Sequence, residues 1–91
     1  LIFIAYVENA FKHSGIDIDP EGFIQVFLTF RKGEILFTCE NSIFPERYSG
    51  TAGGMGLANA KSRLELMYPG RYSLEIRKSA LLFLVTLRII L

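Results

Sequence analysis

The chain has little of what usually announces a chemistry at once. Its single cysteine, Cys39, cannot form an internal disulfide, so a reducing, cytosolic setting is the default expectation. Its only histidine is His13. No charge of one sign dominates: the formal net charge is +1, which removes the electrostatic reason to expect a nucleic-acid surface. No apolar run approaches the roughly 20 residues that span a bilayer; the last such stretch starts at Ala80 and soon meets Thr86 and Arg88. There is no secretory signal pattern, internal repeat or low-complexity tract.

What is present describes one small folded domain. Half of the 91 residues are apolar (51%) and 21% are charged, a balance that suits a globular chain and not a disordered tail. The length accommodates one core and not two. The opening Leu1-Ile2-Phe3-Ile4 has no initiator methionine or polar cap, and the close is Arg88-Ile89-Ile90-Leu91. Both ends read as cuts beside structured elements, so a fragment of a longer protein is expected.

Periodicity divides the chain further. Phe3, Val7, Ala10 and Phe11 recur at helical spacing, and Gly15 is a suitable helix stop. A loop through Asp17, Asp19 and Pro20 leads to a strand from Phe23 to Phe30. Lys32-Gly33 predicts a tight turn into a second strand, from Glu34 to Glu40 or Asn41. Ser42 through Gly54 reads as irregular. Leu57, Ala60, Leu64 and Met67 then predict a second helix, which Pro69-Gly70 ends. Tyr72, Leu74 and Ile76 alternate with Ser73, Glu75 and Arg77, as in a strand with one buried face. After a turn near Ser79, Leu81 to Ile90 completes the set. Two hairpins with helices between them predict an α+β two-layer sandwich, its sheet largely antiparallel and its helices on one face.

Three clusters carry possible chemistry. In Glu8-Asn9-Ala10-Phe11-Lys12-His13, helical spacing sets Asn9, Lys12 and His13 on one side and Glu8 beside Lys12. An amide oxygen and a carboxylate are hard ligands for Mg²⁺, whereas lysine and histidine suit phosphate. The competing reading has Lys12 and His13 simply answering the helix dipole. Gly53-Gly54-Met55-Gly56-Leu57, just before the second helix, would let a backbone approach a ligand and offer its amides to an anion. No Gly-Lys-Ser/Thr follows it, so it is not a P-loop. At the end of the second strand, Glu40-Asn41-Ser42 could receive the exocyclic amine of adenine, or could be a plain strand-end turn.

Taken in order, the clusters resemble the ATP-binding fold shared by histidine kinases, gyrase-type topoisomerases, heat-shock chaperones and mismatch-repair ATPases. Glu8-Asn9-Ala10-x-Lys12-His13 resembles the N box and Gly54-x-Gly56-Leu57 the last glycine box. The run from Gly53 to Asn59, continuing through Arg63-Leu64-Glu65-Leu66-Met67-Tyr68-Pro69, is similar to one branch of two-component sensor histidine kinases. The resemblance implies that residues 1–91 form the carboxy-terminal part of a kinase ATP-binding domain. Asn9 would hold Mg²⁺ with Glu8 beside it, and Lys12 and His13 would contact phosphate. Gly54, Gly56 and Leu57 would line ATP, and Asn41 or Glu40 would stand where the family's adenine-reading aspartate sits. The family's Asp-x-Gly-x-Gly is replaced here by Glu40-Asn41-Ser42-Ile43-Phe44, without either glycine.

The same resemblance implies partners and a setting. The phosphoacceptor histidine would lie on a dimerising domain elsewhere in the protein, since His13 sits inside the N box. A cognate response regulator, a homodimeric full-length protein and a cytoplasmic domain on an inner-membrane anchor would follow. The alternative is a module of the same fold that has lost nucleotide binding and serves protein contacts. An ATPase of the gyrase or chaperone kind is disfavoured: the glutamate that those proteins place one turn before the asparagine is here Ala5.

Overall fold

A computed structural model describes residues 2–44 and 54–91. The elements run α1 (Ile2–His13), β1 (Ile24–Arg31), β2 (Glu34–Ser42), α2 (Gly54–Met67), β3 (Tyr72–Lys78) and β4 (Leu82–Ile90). Among the described residues all strand pairings are antiparallel, in the order β1-β2-β4-β3. The chain is therefore the expected α+β sandwich, a four-stranded antiparallel sheet under two helices. Among the described residues no helix is long and apolar enough to cross a membrane.

Local chemistry explains the connections. Lys32 and Gly33 both have positive φ, 51° and 77°, which is the geometry of a two-residue hairpin turn matched to strand twist. Gly15 stops α1 at φ 67°, and a Cβ there would lie 2.5 Å from the Cβ of Phe44. Only glycine meets both the left-handed backbone and this close approach.

Register decides which side chains share a face. Ile35, Phe37, Cys39 and Asn41 of β2 lie opposite Ile89, Leu87, Val85 and Phe83 of β4, and this row faces the helices. Phe37, Cys39, Val85, Leu87 and Ile89 are buried there with Ile2, Tyr6 and Ala10 of α1 and Ala60 and Leu64 of α2. Each large side chain removed from water in this layer stabilises the fold by about 1.5–3 kcal/mol. Phe3 stacks on Phe37 with ring centroids 4.7 Å apart, and Tyr6 meets the same ring at 6.1 Å. At the far side, the Tyr72 hydroxyl donates to the Glu65 carboxylate at 2.6 Å, tying β3 to α2.

Both helices are rotated or shifted from their sequence-based expectation. The inner stripe of α1 is Ile2, Tyr6, Asn9, Ala10 and His13, while Phe11 is 56% exposed and Phe3 and Val7 are half-buried. The reason is lateral: α1 lies over β2 beside α2, so seating Tyr6 on Phe37 turns the Phe3–Phe11 flank away from the centre of the core. In α2, Ala60 and Leu64 are buried, Leu57 is half-buried and Met67 is exposed, with half-buried Tyr68 packing in its stead. The second helix starts at Gly54, before its predicted first residue, and β2 runs on to Ser42.

Candidate functional site

Three contacts define how α1 lies on the sheet. Phe3 covers Phe37, the Cys39 thiol approaches the Tyr6 carbonyl at 4.0 Å, and Ser14 meets Ser42. The helix thus advances along β2 in the strand's own direction. Asn41, between Cys39 and Ser42 on the inner row, consequently lies beneath the stretch between Tyr6 and Ser14. From that stretch Asn9 and His13 turn inward, and both are buried. The ends of α1 and β2, distant in sequence, are joined here through Ser14 and Ser42 and through His13 and Phe44.

Ser42 fastens the junction. Its hydroxyl accepts from the Phe23 amide at 2.9 Å and donates to the Ser14 carbonyl at 2.9 Å. One oxygen therefore joins the end of α1, the approach to β1 and the end of β2. The Phe44 amide adds a bond to the His13 carbonyl at 2.9 Å, which satisfies a carbonyl in the last turn of the helix. Ser14 is the residue that sequence reasoning passed over, and Ser42, inside the third cluster, had no role of its own there. The available signal was a serine directly after the first motif, at His13-Ser14.

Not every predicted site residue arrives here. Glu8 and Lys12 are exposed, on the side of α1 away from the sheet. Glu40 alternates with Asn41 and so occupies the outer face, where it lines a shallow pocket with Arg77, Lys78 and Ser79. Of the two candidate adenine readers, only Asn41 is on the helix side. It is 1% exposed, and its Nδ2 donates to the Ser42 carbonyl at 2.6 Å.

The glycine motif is reached by following the second helix. Ile2 and Phe3, at the start of α1, line one pocket with Arg63, Met67 and Tyr68, at the end of α2. The helices therefore run in opposite directions, and the first turn of α2 points to the end of the sheet where α1 stops. Gly54 and Gly56 lie in that turn and Leu57 packs on the core. The first amides of a helix lack intrahelical acceptors and carry the positive end of its dipole. Gly53 and the loop of residues 45–53 lie outside the described residues.

Chemically, the junction offers two carboxamides, an imidazole and two hydroxyls. Among the described residues no group of three or more His, Cys, Asp or Glu could hold a metal ion by itself. A divalent cation here would need oxygens supplied by its ligand, the habit of Mg²⁺ bound with phosphates. The residues present fit that kind of shared site through the Asn9 amide oxygen. Compared with known proteins, the chain matches no protein-family model and no curated protein.

Proposed function

We propose that this chain is the Mg·ATP-binding part of a two-component sensor histidine kinase. The observation that carries the reading is that buried Asn9 and His13 lie on α1, whose end is hydrogen-bonded to the end of β2 that carries buried Asn41. These positions match the N box and the adenine-reading position of the family that the sequence resembles, and Gly54 and Gly56 match its last glycine box.

Phosphoryl transfer is chiefly positioning and charge neutralisation around the nucleotide. In this reading Asn9 would hold the Mg²⁺ that ATP brings, and the bound ion would supply charge neutralisation at the phosphates. Lys12, exposed on the last turn of α1, and His13 serve the phosphates. The amides of Gly54, Gly56 and Leu57 present the dipole of α2 to the same anion. Asn41 faces the base. The phosphoacceptor histidine belongs to a dimerising domain outside this chain, and a response regulator takes the phosphoryl group from it. Inner-membrane anchoring of the full-length protein, with this part in the cytoplasm, belongs to the same proposal.

One observation favours a second reading, a regulatory module that no longer binds nucleotide. No carboxylate stands on the inner face at the adenine position, and the Asn41 amide already donates to Ser42. Titration of ATP with and without Mg²⁺, on wild type and Asn9→Ala, separates the two. The kinase reading expects Mg²⁺-dependent binding that weakens at least about tenfold, or about 1.4 kcal/mol, in the variant. Circular dichroism should show both proteins folded. Absence of binding by folded wild type would overturn it in favour of the regulatory module.

A further inference from the structure

The two ends of α1 are held by different means. Near its start, Phe3 and Tyr6 pack on the Phe37 ring, and apolar contact of this kind is non-directional. At its close, two successive carbonyls are held from the end of β2. The Ser42 hydroxyl donates to the Ser14 carbonyl and the Phe44 amide donates to the His13 carbonyl, both at 2.9 Å. The last carbonyls of a helix find no donor within it, so here the strand supplies them. Ser14 continues the helical turn, since its amide donates to the Ala10 carbonyl at 3.0 Å. Successive helical residues point about 100° apart around the axis, so a helix that rolled would lose one bond or both. The pair therefore sets the rotation of α1 little more than one turn beyond Asn9.

Ser42 is itself fixed. Its amide donates to the Phe23 carbonyl at 3.0 Å, its hydroxyl accepts from the Phe23 amide at 2.9 Å, and its carbonyl accepts from the Asn41 carboxamide at 2.6 Å. All its polar groups are engaged, and the hydroxyl is the one that reaches α1. Alanine at this position would keep the backbone bonds and leave the Ser14 carbonyl and the Phe23 amide without their partner. Threonine would keep the hydroxyl and suits a strand.

We propose that Ser42 is a positioning residue for the nucleotide site: by holding the end of α1 it sets the direction in which Asn9 points. It acts through the helix, with no contact to the nucleotide. The inference rests on the reading of this chain as a Mg·ATP-binding domain, in which Asn9 would hold the ion.

Two measurements on the full 91-residue chain, as wild type, Ser42→Ala and Ser42→Thr, test it. Without nucleotide, hydrogen exchange of the Phe23 and Phe44 amides should quicken at least about tenfold in Ser42→Ala and stay near wild type in Ser42→Thr. The amides of Phe37 and Leu87, paired in the middle of β2 and β4, should keep their rates. With ATP at a fixed concentration, the Mg²⁺ concentration that half-saturates binding should rise at least about tenfold in Ser42→Ala, and threonine should restore it. Loss of folded protein would lower the amplitude and leave that midpoint in place. Unchanged exchange at Phe44, or a wild-type Mg²⁺ midpoint in Ser42→Ala, would overturn the positioning role while the kinase reading stands. Folded wild type that binds no ATP would overturn that reading and the inference with it.

Discussion

The two outer strands of the sheet solve the same problem differently. β3 ends the sheet with Glu75, Arg77 and Lys78 among its residues, and Glu75 pairs with Arg77 at 2.7 Å on its outer face. β1 ends it with Gln25 and Thr29 as its only polar side chains before Arg31. The first pattern repels an incoming strand, because pairing would bury charge. The second invites one. Helix placement widens the difference, since α2 is tied to β3 through Tyr72 and Glu65, whereas Leu28 and Phe30 on the helix side of β1 stay exposed. An edge is thus guarded by what its side chains would have to bury, and the backbone groups of the two strands are equally ready to pair.

The largest expected effect lies between the edges. Phe37→Ala removes the ring on which Phe3 and Tyr6 pack and should destabilise the fold by about 3–5 kcal/mol, read from denaturant unfolding. The matched changes Val26→Ala and Ile76→Ala, at positions 43% and 44% exposed, should each remove less than about 1 kcal/mol when measured at concentrations that keep the chain monomeric. Equal losses at all three positions would mean that the core is not centred on β2.

The comparison can also be reversed. Replacing Glu75 and Arg77 together by valine gives β3 the character of β1, and sedimentation should then show larger species than wild type gives at the same concentration. Loss of their exposed ion pair has little energetic weight in itself. If the double variant keeps the wild-type distribution, charge is not what guards that edge.

The smallest effect belongs to Cys39, on the strand next to β1. Burial pushes its thiol pKa up, because the thiolate would lose water. The folded state therefore holds the proton more tightly than the unfolded state. Cys39 contributes its full share of stability below the unfolded thiol pKa of about 8.5, and that share is lost as pH rises above it. Denaturation midpoints should fall slightly across this window, and Cys39→Ser should flatten the fall. Reaction of native Cys39 with a thiol reagent should be slow until denaturant is added.

Much of the fold was legible in short-range pattern. Lys32-Gly33 announced its hairpin because few residue pairs adopt two positive φ angles, and Gly15 announced the end of α1 for a related reason. Alternation in Tyr72–Ile76 marked β3 as half-buried. The face of α1 was harder to read, since Phe3, Val7 and Phe11 satisfy helical periodicity as well as Ile2, Tyr6 and His13 do. Only the position of the neighbouring helix selects between them. At the site, Asn9, His13 and Asn41 were identifiable by residue type and spacing, but Glu40 and Asn41 were equivalent in the sequence.

The sequence by itself determined the order of elements, the two hairpins, the α+β class and the residues worth inspecting, because periodicity and turn chemistry act over a few residues. Tertiary structure alone decided that Asn41 goes inward and Glu40 outward, that Asn9 and His13 are buried, and that Ser42 binds three segments together. It also left β1 exposed while α2 was tied to β3. These outcomes rest on strand register and on the sideways placement of helices, set by contacts between residues far apart in the chain.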